Sequence, residues 1–419
     1  MPNLHTIAFA LSLCMIFVIP WEGVVRFPGL GTGAKLVGFG TAAFWFLAVL
    51  GARRFRRPNA IHAVLCLFVL WNGVSVVWST NPGRSAGHVF TWVQVFFLTC
   101  ILWDLYTTRA KVLAGLQAYV LGTCVALASA LSNFLAGETF YSHFQRYSAG
   151  ETNPDGFGFI IALAIPVAWY LAVSVRGLPM GRLLGIVNYA FVPMALLGIA
   201  LSGTRTALIA AVPGMCFGLA SLGRLRLSTR IAIAAFVSLA AGLVLTSIQQ
   251  ERAFQRLGST GTELAEGDLN DRTRLWREGL VSYLEQPVLG VGSNMYRSVN
   301  SQHKVAHNSF ISVLVELGLV GFALFGAILS IAVLQACSQP RCDRGLWLSL
   351  LLVWAIGAST LTWEYRKTTW LFFGLLNASA AMNRRWEVLP TRQPSPAADF
   401  LPGVALSRNM AGRSGGPLF

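Results

Sequence analysis

Apolar runs of some fifteen to thirty residues, separated by short polar turns, fill most of this 419-residue sequence. They limit the fold more than any other feature. A run of about 20 apolar residues makes a helix long enough to cross the hydrocarbon layer of a bilayer. Inside lipid every backbone N–H and C=O must pair within the protein, which leaves helices or a closed barrel. The runs lack the alternation of barrel strands. Only 12% of residues are charged, where a soluble domain carries roughly a quarter. The sequence therefore predicts an all-α polytopic membrane protein.

Twelve candidate spans are read at 4–20, 34–51, 60–79, 88–104, 112–136, 156–174, 183–201, 205–222, 231–247, 307–336, 345–362 and 368–382. The first has no basic residue before it and no small-residue cleavage site after it, so it reads as a retained span. Residues 1–382 form one transmembrane helical domain. A long external loop, about 248–306, lies between spans nine and ten. Residues 383–419, rich in Pro, Gly and Ser, read as a disordered cytoplasmic tail.

The net charge of +15 would suggest nucleic acid in a soluble chain, but its distribution gives another reason. Sixteen Lys and Arg residues fall in the loops after even-numbered spans and the start of the tail, and seven in the short loops after odd-numbered spans. Positive charge stays on the cytoplasmic side. The bias puts both termini in the cytoplasm and the long loop outside, in the periplasm of a cell that has one. Nucleic acid is not implied. The seven cysteines are odd in number and form no CxxC pair, so they read as small buried apolar residues.

The stretch from Ser247 to Phe310 is the main polar interruption, with seven acidic and seven basic residues. Two more polar segments face the same side: ETNPDGFG before span six (Glu151, Asn153, Asp155) and LSGTRTA before span eight (Arg205). The loop itself ends on AHNSF (His307, Asn308) at the start of span ten. Each of these helices points its N-terminus outward, and helix N-termini attract anions through free N–H groups and the helix dipole. Ser202 and Thr204 are natural caps ahead of Arg205. An arginine there suits phosphate oxygens, although Arg205 is also readable as an interfacial anchor. Glu151 and Asp155 are equally readable as helix-start acids, and Arg272, Arg274 and Arg277 as a solvated face. Glu316, nine residues past His307 on span ten, falls on the opposite helix face about 13.5 Å deeper, so an interhelical hydrogen bond is the expected role. GVGSN at 290–294 reads as a turn. The acids of GDLND are too few for a calcium site, and no other metal set is seen.

In this order the motifs resemble the O-antigen ligase and polymerase family of polytopic membrane proteins. They are NPDG (153–156), SGTRTA (202–207), RTRLW (272–276), QPVLGVG (286–292), HN (307–308) and ELGLVG (316–321). The resemblance covers roughly residues 150–335. It implies a metal-independent, cofactor-free glycosyltransferase of the GT-C kind in the bacterial inner membrane. Its donor would be a polyprenyl-diphosphate-linked glycan, and its acceptor the lipid A–core or another glycan. By the same resemblance Arg205 and Arg272 would hold the diphosphate, with Arg274 the alternative if the loop register differs by two. His307 would act on the acceptor hydroxyl, while Asn308, Asn153, Asp155 and Glu151 would bind substrate. Asp155 stands where the family commonly has Asn. Ligase and polymerase remain open alternatives. A lipid-linked glycan flippase would need a polar path through the membrane, of which the spans offer little beyond Glu316.

Overall fold

The computed structural model describes residues 3–29, 31–141, 145–175, 180–222 and 272–388, with the single positions 228, 231 and 235. The expected ninth span, the first part of the long loop and the tail beyond 388 lie outside the described residues. The elements are α1 (Leu4–Val18), α2 (Gly33–Ala52), α3 (Ala60–Val74), α4 (Pro82–Leu105), α5 (Arg109–Ala136), α6 (Pro154–Ser174), α7 (Gly181–Ser202) and α8 (Arg205–Leu222). After these come α9 (Arg272–Glu285), α10 (Ser309–Cys337), α11 (Arg341–Ala358) and α12 (Lys367–Val388). A two-rung antiparallel ribbon, β1 (Arg26–Phe27) on β2 (Gly31–Thr32), sits between α1 and α2.

Among the described residues, eight helices are long and apolar enough to cross a membrane: α1 to α7 and α10. α8 is apolar but short. α11 carries Arg341, Asp343 and Arg344 within 18 residues, and α12 has charges at both ends. These three stand at the positions read as spans eight, eleven and twelve, so the described chain meets the length-and-apolarity test for eight spans and not for the twelve expected.

Helix α6 is the axis of the bundle. Every residue from Phe157 to Ala172 is buried, and α5, α7, α8 and α11 pack around it. An apolar helix buried on all sides has no polar face, which is why its sequence shows no amphipathic stripe. Its start comes close to the α7–α8 turn because residue 158 is Gly: a Cβ there would lie 2.8 Å from the Ser202 hydroxyl.

Polar ties mark the two ends of the bundle. At one end Arg109 pairs with Asp343 at 2.7 Å, Tyr170 donates to the same carboxylate, and Asn59 donates to Asn377. Arg56 lies at that end too, its amide donating to the Asp104 carboxylate. At the other end lie the starts of α6, α8, α9 and α10 and the α11–α12 link. The α1–α2 link joins them through Lys367 with Glu22 and through Glu151 N donating to the Gly23 carbonyl.

All seven cysteines are free thiols. The reading of them as buried holds for Cys100 alone; Cys66 and Cys124 are half-buried, and Cys14, Cys216, Cys337 and Cys342 are exposed.

Candidate active site

The site is built around the first turn of α6. Asn153 caps that helix by accepting from the Asp155 amide at 2.9 Å, and its own amide donates to the Tyr141 hydroxyl. Asp155 is thereby turned toward Arg146. This arginine comes from the α5–α6 link and is 3% exposed. Its guanidinium donates to the Ser202 carbonyl at 2.7 Å, the Thr204 hydroxyl at 2.9 Å and the Asp155 carboxylate at 2.6 Å. A buried arginine is tolerable only when such acceptors replace its water. Arg146 therefore joins α6 to the α7–α8 turn, and the Thr204 hydroxyl adds a bond to the Pro154 carbonyl at 3.0 Å. Gly203 closes α7 in the left-handed region, φ +58°, a C-cap conformation that glycine adopts without strain. Arg205 comes two residues later, half-buried, as the first residue of α8.

The second half of the site comes from α9 and the start of α10. Arg272 opens α9 and is half-buried. Burial lowers its pKa, and Arg146 adds to that while Asp155 opposes it, so the three groups share one electrostatic neighbourhood. Arg274 points elsewhere: it pairs with Glu278 at 3.0 Å and donates to Ser301. Of the two arginines, Arg272 lies toward Asp155 and Arg274 on the polar face of α9.

His307 precedes the α10 cap in the left-handed region, φ +49°. This uncommon conformation is held from both sides. Its amide donates to the Thr362 hydroxyl at 3.0 Å, and the carbonyl of the preceding Ala306 accepts from the Trp276 indole of α9 at 2.8 Å. Burial, then the charge of Arg272, drives the imidazole pKa from 6.5 down to about 4, with Asp155 opposing. The ring is therefore neutral at physiological pH and able to accept a proton.

The other expected site residues have structural engagements. Asn308 caps α10, accepting from the Phe310 and Ile311 amides and donating to the Ser359 carbonyl. Glu151 pairs with Arg26 at 2.8 Å on the exposed surface. Among the described residues Glu316 makes no bond to another long helix; its carboxylate accepts from the backbone amides of Asn294 at 2.7 Å and Tyr296 at 3.1 Å. The GVGSN turn reaches it because α10 breaks at Gly318 (φ +63°, ψ −166°). The break releases carbonyls that Val291 and Gly292 take up at 3.0 and 2.8 Å. Among the described residues no group of three His, Cys, Asp or Glu side chains converges as a metal set.

Two groups escaped the sequence reading. Arg146 was legible only as a basic residue on the wrong side of the charge bias. Glu364, in the α11–α12 link beside Thr362, is 3% exposed, and burial pushes its carboxyl up to about 7. No motif marks it.

The fold and site define a polytopic membrane protein with a cationic, histidine-bearing centre where several helices begin. Residues 189–326 match the family described as O-antigen ligase. The chain is also 25% identical over 311 residues to the exopolysaccharide production protein ExoQ of Rhizobium meliloti (strain 1021), covering 68% of this chain and 67% of that protein. Together these matches support an O-antigen ligase/polymerase family membrane protein, the family that the motif order resembles. The family match includes Arg205, Arg272 and His307; Arg146 and Asp155 lie before it.

Proposed function

We propose that the protein is a glycosyltransferase that moves a polyprenyl-diphosphate-linked glycan onto an acceptor hydroxyl at the outer face of the bacterial inner membrane. The observation that carries this reading is the shared electrostatic neighbourhood of Arg272, His307 and Asp155, with Arg205 next in the chain to Thr204, whose hydroxyl bonds Asp155. As the bond from the anomeric carbon to the diphosphate breaks, negative charge grows on the leaving oxygen. Arg205, Arg272 and the N-terminus of α8 stabilise that charge, a role that guanidinium groups and helix dipoles fill without a metal. The acceptor hydroxyl attacks the anomeric carbon and gives its proton to the neutral His307 imidazole. Polyprenyl diphosphate leaves, and His307 then releases the proton to solvent. Asp155, held by Arg146, keeps part of the positive charge compensated before donor binds.

We read the acceptor as the lipid A–core, which makes the protein a ligase. In this orientation the termini are cytoplasmic and the α9 loop is periplasmic. A second reading is a polymerase that extends an exopolysaccharide, favoured by the name of the Rhizobium relative. A deletion strain separates them: free core with accumulated long polymer supports the ligase, and loss of exopolysaccharide alone supports the polymerase. Under either, His307→Ala and Arg205→Ala abolish the surface polysaccharide while the protein still inserts. Normal polysaccharide from both variants would sink the catalytic reading.

A further inference from the structure

Helix α9 has three faces and only two of them are accounted for. One is buried: Leu275 packs inward, Gly279 abuts the Tyr296 ring, and Trp276 bonds to Ala306. One is polar: Glu278 pairs with Arg274 and accepts from the Ser301 amide at 2.7 Å. The third is open and, beyond Arg277, apolar. Leu280, Val281 and Leu284 lie on it, and the turn that follows adds Val288 and Leu289; Leu284 is 73% exposed. This face does not end in solvent. The Pro287 carbonyl accepts from the Leu319 amide at 2.8 Å. Leu319 is itself exposed on α10, one of the helices apolar enough to span the bilayer. The open face of α9 is therefore continuous with a surface whose solvent is lipid.

We propose that the C-terminal half of α9 and the turn at 286–289 are seated in the outer leaflet, with Leu280, Val281, Leu284, Val288 and Leu289 facing acyl chains and Arg277 and Glu285 at the headgroup boundary. The occupant is the bilayer itself. An amphipathic helix of this kind lies in the interface with its apolar side sunk about 5–10 Å below the headgroups, and the charges bordering the patch remain at the polar level. Large exposed apolar patches mark interaction sites, and here continuity with α10 identifies the partner. The inference rests on the membrane-spanning reading, not on the transferase reading, so either can fail alone. It adds a depth for Arg272: at the N-terminus of the same helix, it is held at the level of lipid phosphates.

The test uses the full chain with its seven cysteines replaced by Ser and a single Cys at 284 carrying a nitroxide. The protein is reconstituted in vesicles of phosphatidylethanolamine and phosphatidylglycerol. Oxygen, which partitions into lipid, is expected to relax the label more strongly than a water-soluble nickel chelate, with the reverse at a control label on His303. Greater relaxation by nickel at 284, or protection from both agents as another protein segment would give, overturns the proposal. A second measurement leaves the cysteines in place. Benzoylphenylalanine at 284, irradiated in the same vesicles, is expected to crosslink to phospholipid; crosslinks to protein alone overturn the proposal.

Discussion

Arg146→Ala tests the centre of the site through stability rather than activity. The side chain is 4% exposed and its Asp155 partner 27%, so the substitution leaves a carboxylate partly desolvated and a buried carbonyl and hydroxyl short of a donor. Removing one partner of a buried ion pair costs about 3–5 kcal/mol. Asp155 keeps some water and retains Arg272 nearby, which places the expected loss at the lower end, about 3 kcal/mol. Asp155→Ala strands the arginine instead, and a similar loss follows. The double variant strands neither charge and is expected to lose about 1–2 kcal/mol less than the two single effects added together, the usual size of coupling between contacting groups. Unfolding by SDS in mixed micelles, followed by tryptophan fluorescence, reads all three. Strictly additive losses, or single losses below about 1 kcal/mol, would refute the claim that this pair joins α6 to the α7–α8 turn.

Two further outcomes follow from the other half of the site. With the His307 pKa depressed to about 4, the base form persists in mild acid, so product formation in vesicles at pH 5.5 should stay above half its maximum; a midpoint near 6.5 would show an unperturbed histidine. The linked stability is fully present above pH 6.5 and is lost as pH falls toward 4, because the unfolded chain takes up the proton first, and its full size is on the order of 3 kcal/mol. Gly318→Ala should expose the 286–300 turn to limited proteolysis, since its φ of +63° disfavours any Cβ and that atom would overlap the Val288 carbonyl; unchanged cleavage kinetics would show the turn is held by other means.

The sequence reading succeeded where a single physical rule acts alone. Lipid demands apolar helices, so eleven of the twelve expected spans coincide with helices, although the strict test for crossing a membrane is met by eight. Arg205, Arg272 and His307 could be picked out as candidates because they stand at helix starts or in ordered motifs. Arg146 was not, since its role depends on two acceptors, Ser202 and Thr204, some sixty residues away, and no local pattern encodes that meeting. Asn308 shows a second kind of engagement that a sequence does not display. A polar residue beside a candidate base reads as a ligand, yet its side chain is committed to capping α10. Glu316 had the right kind of partner from the wrong element, because the break at Gly318 that brings the GVGSN backbone within reach cannot be seen in an otherwise regular apolar run.

That break also decides how the outer half of the site is held. Segment 287–296 is stitched to α10 by the Val291, Gly292 and Leu319 amides and by both oxygens of Glu316. It cannot peel away like an ordinary loop. It is also bonded to α3, α4 and the turn between them: Trp78 donates to the Gly290 carbonyl, Ser85 to the Ser293 carbonyl, and the Ser293 hydroxyl to the Asn72 side chain. The start of α10 is held in turn by the α11–α12 link: His307 N donates to Thr362, Ser309 to the Leu361 carbonyl, and Trp363 N to Ser309. Arg272 and His307 are carried by these bonded segments, and Arg205, Arg146 and Asp155 by the starts of α6 and α8 and the link before α6. The outer half of the site is therefore braced on two sides, and a membrane helix broken at Gly318 supplies the seat for both braces.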